Sequence, residues 1–382
     1  MSVYVLIMGV RRKRLCHNFL NCIMPNVNLP KLLIIDKEQF GQLTDLYKWC
    51  ENLREEYNIT VLTANHGRKV MEMDGVNVRY VPFNFPYMIR GIIYILYALC
   101  TSAFFKGPIL VEYFKGCSVL KLLCPWRKMI MDVRTFSIEA DADVRNSADA
   151  ALRKESRRFD LVSTLSKGIA GKIGLDTVRL LPLGADVIST EPKDYMKGLN
   201  LLYIGTFTNR KLDVMLRGIK LFRDRHLNLP MSVDIVGDGL PGMLDELKKQ
   251  SKELGLEEIV KFHGYVPLTQ VKPFFDRCNV GLSFVPITSY YEHQPPTKTF
   301  EYVLSGLFCI ATATGANKEI ITPENGLLIQ DTPESLCDGL EQYLAIRPGI
   351  NETTLRASLS DSNWNSIAHN YLVPILDELS QK

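Results

Sequence analysis

The chain has 382 residues, 46% of them apolar and 23% charged, with 25 Gly and 19 Pro. That length suits two or three domains, each able to bury its own core, and the ordinary composition excludes disorder, collagen and coiled coil. Net charge is +3, but residues 1–190 carry 26 Lys and Arg against 18 Asp and Glu, whereas residues 191–382 carry 19 against 24. The basic first half suits an anionic partner, with plain solvated faces as the alternative.

The opening run Val3–Met8 is strand-length and is followed by Arg11, Arg12, Lys13 and Arg14, the reverse of a signal peptide's order. Further strands are expected over Lys31–Ile35, Thr60–Thr63, Val76–Val81, Pro108–Tyr113, Met129–Val133, Leu161–Thr164 and Val178–Leu181. Helices are expected between them, for example Gln42–Tyr57 and Ala148–Arg158, and Ser166 can cap one beginning near Lys167. The apolar stretch Gly91–Phe105 spans only about 22 Å as a helix, short of a bilayer core, and is expected to be a buried core helix. A helix dipping into a membrane surface is the weaker alternative. Polar, Pro-containing Val187–Lys197 reads as a linker.

The same alternation then restarts. Strands are expected over Asn200–Ile204, Ser232–Val236, Ile259–Phe262, Val280–Val285, Phe308–Thr312 and Gly326–Ile329. Helices are expected over Leu212–Arg223, Gly242–Leu254, Pro273–Cys278, Thr297–Ser305 and Asn365–Leu379. The reading is α/β, two doubly wound domains. Nine cysteines, with no CxxC pair or Cys/His cluster, fit buried thiols in a reducing compartment and place the chain in the cytoplasm.

Three strand-end loops carry possible chemistry. Tyr203-Ile204-Gly205-Thr206 runs into Arg210 and Lys211 at a helix start, where a diphosphate could be neutralised. Val236-Gly237-Asp238-Gly239 is a second tight strand-to-helix turn, weak as a lone GxG. Tyr290 to Tyr302 joins Glu292, His293 and Gln294 to a helix in which Pro296 can be the first residue. Thr297 and Lys298 would then face an anion, and Glu301, one turn on, could accept hydrogen bonds from both hydroxyls of a ribose.

In this order the elements resemble the retaining, metal-independent glycosyltransferases of family 4 type (glycosyltransferase group 1), firmly over about 195–345 and more weakly upstream. The matching residues are Gly205-Thr206 with Lys211, Gly237-Asp238-Gly239, Phe262-His263-Gly264-Tyr265, the element from His293 to Glu301, and Gly315 with Glu319. Thr206 stands where the family usually has Arg, and His293 where the first Glu of its pair is expected, with Glu292 adjacent. Lys298, Phe300, Glu301 and Tyr302 are similar to a variant in members that act in bacterial surface-polysaccharide assembly.

The resemblance implies a GT-B fold: a Rossmann-like acceptor domain over 1–187, a donor domain over 198–362, a central cleft, and a helix over 363–382 crossing back to the first domain. It implies a nucleotide-diphosphate sugar as donor, UDP-sugar favoured over GDP-sugar, and transfer to an acceptor hydroxyl with retention in polysaccharide or glycolipid assembly. Lys211, Lys298, Arg210 and Thr297 would hold the diphosphate, Glu301 the ribose, and Tyr265 would border the base. Asp132 and Arg134 lie where relatives often carry a donor-facing His, a structural ion pair being the alternative. No DxD-like site marks a strand end, so no metal or cofactor is expected. The acceptor is expected to be a glycan or polyprenyl-phosphate-linked, with an anionic membrane surface as a partner of the N-terminal domain at the inner face. Nucleic acid is not expected as a partner. A non-catalytic nucleotide-sugar-binding protein and a sugar-nucleotide epimerase of the same fold are the alternatives.

Overall fold

The structure, a computed structural model, describes residues 29–137, 139 and 141–381. The expected first strand Val3–Met8 and the basic run 11–14 lie outside the described residues. The first group of elements is β1 (Lys31–Asp36), α1 (Thr44–Leu53), β2 (Asn58–Asn65), β3 (Val76–Pro82), α2 (Tyr87–Phe104), β4 (Ile109–Glu112) and α3 (Ser118–Leu123). β5 (Met129–Val133), α4 (Ala142–Ser156), β6 (Leu161–Thr164), α5 (Lys167–Ile173) and β7 (Val178–Leu180) continue it. These seven strands form a sheet of order β3-β2-β1-β4-β5-β6-β7. β1 is parallel to β2 and to β4, with Leu33 opposite Thr60 and Ile109. The apolar run Leu32–Ile35 is wholly buried, as a central parallel strand covered on both faces requires.

The second group is β8 (Leu199–Ile204), α6 (Leu212–Arg225), β9 (Met231–Val236), α7 (Met243–Glu253), β10 (Val260–Gly264), α8 (Lys272–Arg277) and β11 (Val280–Ser283). It continues with α9 (Thr297–Leu304), β12 (Phe308–Thr312), α10 (Gly315–Ile320), β13 (Gly326–Ile329) and α11 (Pro333–Ile346). Its sheet has the order β10-β9-β8-β11-β12-β13, with β8 central between β9 and β11. Tyr203, Phe222, Phe275, Tyr302 and Phe308 fill the core around it. α12 (Glu352–Ala357), α13 (Trp364–Ile367) and α14 (Val373–Gln381) end the chain.

The backbone divides into two compact units, Met1–Ile130 with Leu379–Lys382, and Met131–Glu378. Within the second unit, the segment 187–197, expected as a linker, is pinned along its length. Ser189 donates to Asp276 at 2.6 Å, Lys193 to the Phe275 carbonyl at 2.5 Å, and Tyr195 to the Gly306 carbonyl at 2.8 Å. Within the same unit the closing helical segment packs on residues before 187. The Trp364 ring lies so close to Gly184 that a Cβ there would stand 2.4 Å from it. Arg179 forms a two-pronged pair with Glu378 at 2.7 and 2.8 Å.

Several elements differ from the expectation, the short helices α10 and α12 among them. α11 was not foreseen: Thr332 caps it through the Ser335 N–H, with Pro at its start, a polar signal that outweighs its mixed composition. The last helix is broken, with a π-helical turn over Ala368–Leu372 between α13 and α14. α2 is not a buried core helix. Tyr94 and Ala98 are buried, but Ile92, Leu96 and Phe104 face solvent. Among the described residues no helix is long and apolar enough to cross a membrane.

Candidate functional site

At the carboxyl end of the second sheet two strands turn on glycine. β8 runs into Gly205, φ 136°, and β9 into Gly237, φ 139°. The turns approach so closely that a Cβ on Gly237 would stand 1.9 Å from the Gly205 carbonyl oxygen. Only glycine fits that backbone and that gap. The Gly237 N–H donates to the Gly264 carbonyl at 2.8 Å, and the Gly205 N–H to the Val236 carbonyl at 3.0 Å. Tyr302 from α9 accepts the Ile204 N–H at 2.8 Å and so holds the first turn from behind.

α9 begins at Thr297. Pro296 has extended backbone and occupies the cap position, not the first helical residue as expected, because Thr297 already takes up the helix. No side chain caps this end. Thr299 anchors the helix through Ser283 at 2.7 Å and Asn317 at 3.1 Å. Lys298 is buried, with Nζ 3.8 Å from the centre of the Tyr203 ring. A Cβ on Gly205 would lie 3.5 Å from that same ammonium. Burial first, and then the Arg210 charge, push the Lys298 pKa well below the usual lysine range. Burial also raises Glu301 to about 7, helped by Asp186 and opposed by Lys298.

Two further cations stand at the start of α6. Lys211 adopts the left-handed conformation, φ 50°, and its ammonium pairs with Asp331 at 2.9 Å. Asp331 also accepts the Ile287 N–H at 3.1 Å, which ties the two loops together. The Arg210 guanidinium lies 4.6 Å from the centre of the Tyr291 ring.

The adjacent Glu292 and His293 have different surroundings. The Glu292 carbonyl accepts the Ala316 N–H at 2.8 Å, and its carboxylate lies beside Gly315. The His293 carbonyl accepts the Ser166 hydroxyl at 2.9 Å, and its ring packs on Gly168, where a Cβ would stand 2.1 Å from Nδ1. Ser166 also caps α5 as expected, through the Ile169 N–H at 3.2 Å. Gln294 donates to the Thr135 hydroxyl.

Asp132 is fully buried, accepts the Ser163 hydroxyl at 2.6 Å and pairs with Arg134 at 3.7 Å; Arg134 donates to the Leu181 carbonyl at 2.9 Å. These contacts give the pair the structural surroundings of an internal ion pair. Tyr265 is exposed after the turn at Gly264. Thus Gly205, Lys298 and Glu301 share one end of the sheet with Arg210 and Lys211. Asp132 and Arg134 belong to the other sheet.

Tyr203, Tyr302, Asp331 and Asn317 drew no role from the sequence. Tyr203, inside the strand that ends at Gly205, and Tyr302, inside the Tyr290–Tyr302 stretch, lay within motifs singled out for their neighbours. Behind the site, Asp234 accepts His263 at 2.6 Å and Arg277 at 2.7 Å. Burial alone would raise Asp234, and these hydrogen bonds outweigh it, so its pKa lies below the ordinary value. Among the described residues no group of three or more His, Cys, Asp or Glu stands together as a metal site.

The fold is the GT-B architecture, two parallel-sheet Rossmann-like α/β halves. Residues 198–345 match the family "Glycosyl transferases group 1", so the sheet that carries the Gly205–Lys298 site bears the glycosyltransferase signature. Among solved structures, the chain is similar to sucrose-phosphate synthase from Thermosynechococcus elongatus, at 14% identity and TM-score 0.73, covering 92% of this chain and 99% of that one. HepE of Anabaena in complex with UDP is similar at 15% identity and TM-score 0.73, covering 93% and 100%. The lipopolysaccharide outer core galactosyltransferase WaaB is similar at 13% identity and TM-score 0.68, covering 91% and 99%. None of the curated proteins matches the chain in sequence.

Proposed function

We propose that the protein is a glycosyltransferase that moves a sugar from a nucleotide-diphosphate donor to an acceptor hydroxyl with retention and without a metal. The observation that carries this reading is the buried Lys298 ammonium set against the Gly205 turn of β8, with Glu301 one turn further along α9, in the half that matches the group 1 family. A diphosphate placed there meets Lys298, Lys211, Arg210 and the uncapped start of α9, all of which stabilise negative charge on a leaving group. Glu301 takes the ribose hydroxyls, and Tyr265 borders the base. UDP is the favoured nucleotide, in keeping with the complexes of HepE with UDP and with UDP-glucose.

The bond from the anomeric carbon to the β-phosphate oxygen breaks as the acceptor oxygen bonds to the same face. The acceptor's proton passes to the leaving phosphate, so the protein's share is positioning and charge stabilisation. Residues 1–187 serve the acceptor, 198–362 the donor, and 363–382 form the closing helix.

The acceptor is a glycan or polyprenyl-phosphate-linked, in bacterial surface polysaccharide or glycolipid assembly at the cytoplasmic face of the membrane. A cavity of about 400 Å³ in the first unit, lined by Asn65, His66, Tyr80, Asn84 and Arg90 among others, offers polar groups for it. The test is thermal stabilisation by a panel of nucleotide sugars, followed by transfer to acceptors. A ligand at 100 times its dissociation constant adds about 2.7 kcal/mol. Stabilisation by no nucleotide sugar overturns the reading; donor binding without hydrolysis or transfer favours a binding protein; interconversion of the donor favours an epimerase.

A further inference from the structure

α2 presents an unusual face to water. Between residues 89 and 104 its exposed positions are Ile89, Ile92, Leu96, Tyr97, Cys100 and Phe104, and none is charged or an amide. At about 100° per residue they cover an arc of about 140°, as wide as the face that a surface helix normally buries. The opposite side, with Tyr94, Ala98 and Ser102, is the buried one. Ile92 is 59% exposed and Phe104 84%.

The apolar surface continues onto the end of α3 and the segment after it. Leu122, Leu123 and Trp126 are also exposed, Trp126 at 62%. Arg127 binds the Ala103 carbonyl through two guanidinium nitrogens and so fastens this segment to the end of α2. Gly116 lies against Ile95, where a Cβ would stand 3.5 Å from it. A patch of this extent on one side of a small unit calls for a partner.

Charge decides which partner. Residues 81–130 hold Arg90, Lys106, Lys115, Lys121, Arg127 and Lys128 against a single acid, Glu112. Two such faces pressed together as a homodimer would bring like charges together around the apolar centre. An anionic bilayer supplies the opposite sign at the rim and hydrocarbon at the centre, the combination that an in-plane helix with an interfacial Trp requires.

We propose that the exposed face of α2, with Leu122, Leu123 and Trp126, docks the protein in the plane of an anionic membrane surface. This deepens the membrane part of the proposed function and rests on that reading for its purpose. Its test uses no donor, so the two can fail separately.

Trp49 and Trp364 are 2% and 4% exposed, so Trp126 alone among the three tryptophans is placed to meet lipid. The full chain is mixed with vesicles of phosphatidylcholine alone or with added phosphatidylglycerol. With the anionic vesicles at low salt the Trp emission shifts to shorter wavelength and brominated lipid quenches it. Both effects weaken as salt rises and are absent from Trp126→Phe. Ile92→Gln with Leu96→Gln, both on the solvent side, lowers the bound fraction in co-sedimentation by about tenfold or more, with the thermal midpoint unchanged. Binding to anionic vesicles that the double variant leaves intact overturns the proposal. So does a lipid-free chain whose Trp126 emission is already shielded from iodide, which means that the face is covered without lipid. A dimer in sedimentation equilibrium that the same two substitutions dissolve assigns the face to a second copy instead.

Discussion

The Lys298 ammonium lies 3.8 Å from the centre of the Tyr203 ring, which joins the first turn of α9 directly to the end of β8. Tyr203 in turn donates to the Thr206 carbonyl at 2.8 Å, so the ring that supports the cation also shapes the loop after Gly205. Burial disfavours the charged form of an ammonium facing a glycine turn, and a bound anion favours it.

Lys298→Met therefore separates charge from packing better than Lys298→Ala. The methionine variant is expected to lower kcat/KM for transfer by about 10²–10³ while keeping the fold. The alanine variant also loses the buried stem, at about 1–2 kcal/mol in urea unfolding. On the alkaline side of neutrality donor binding should favour proton uptake in the wild type, because a diphosphate raises the depressed lysine pKa. Titration calorimetry in buffers of different ionisation enthalpy reads that uptake. Its persistence in Lys298→Met would place the proton elsewhere.

Lys211 and Asp331 make an exposed pair, which contributes only about 0.2–1 kcal/mol to stability. Lys211→Ala should leave the melting temperature nearly unchanged and reduce transfer by about 10²–10³. Asp331→Asn frees the lysine and should tighten nucleotide-diphosphate binding by a few-fold at low salt. Weaker binding in Asp331→Asn would mean that Asp331 positions Lys211 rather than competing for it.

Glu301→Gln preserves shape and removes the charge-assisted bonds proposed for the ribose. The expected loss in donor binding is about 1.5–3 kcal/mol by calorimetry. Intact donor affinity combined with a large fall in stability would make the residue structural.

Gly237→Ala places a methyl group 1.9 Å from the Gly205 carbonyl oxygen, on backbone at φ 139°. The turns must separate, and donor affinity should fall at least about tenfold, with stability lowered by about 1–3 kcal/mol. Asp238→Ala, at the exposed neighbour, is the control. A Gly237→Ala variant with native affinity would detach the turns from the donor site.

Glu301, raised to about 7, binds a proton in the folded protein that the unfolded chain releases near 4.5. Asp36, buried at the end of β1, shifts in the same direction, from desolvation first. Between the unfolded and folded values the native state holds more protons, so stability falls as pH rises, by up to about 1.4 kcal/mol per pH unit for each group. Urea midpoints should fall from pH 5 to pH 7, and less steeply in Glu301→Gln. A midpoint that rises across this window contradicts both shifts.

The alternation of elements was legible because local sequence controls it. Leu32–Ile35 and Leu201–Ile204 are continuous apolar runs that end in a polar residue or glycine, and their shortness and flanks favour strands buried on both faces over helices. The strand-end position of Gly205 and the helix-start position of Lys211 were likewise legible, since a strand-end glycine followed by cations forms a local pattern. α11 was not among the expected helices, although Thr332 and Pro333 mark its start and Leu336, Leu340 and Tyr343 recur at helical spacing along its buried side. The role of Tyr203 beneath Lys298 and the pairing of Lys211 with Asp331 were not legible, for they join residues far apart in the chain. The same holds for α2. A stretch that is apolar all round carries no mark of which side meets water, and its sequence alone favoured full burial. Periodicity sets a helix and its length, but which face is covered depends on the neighbouring elements that the tertiary structure brings to it.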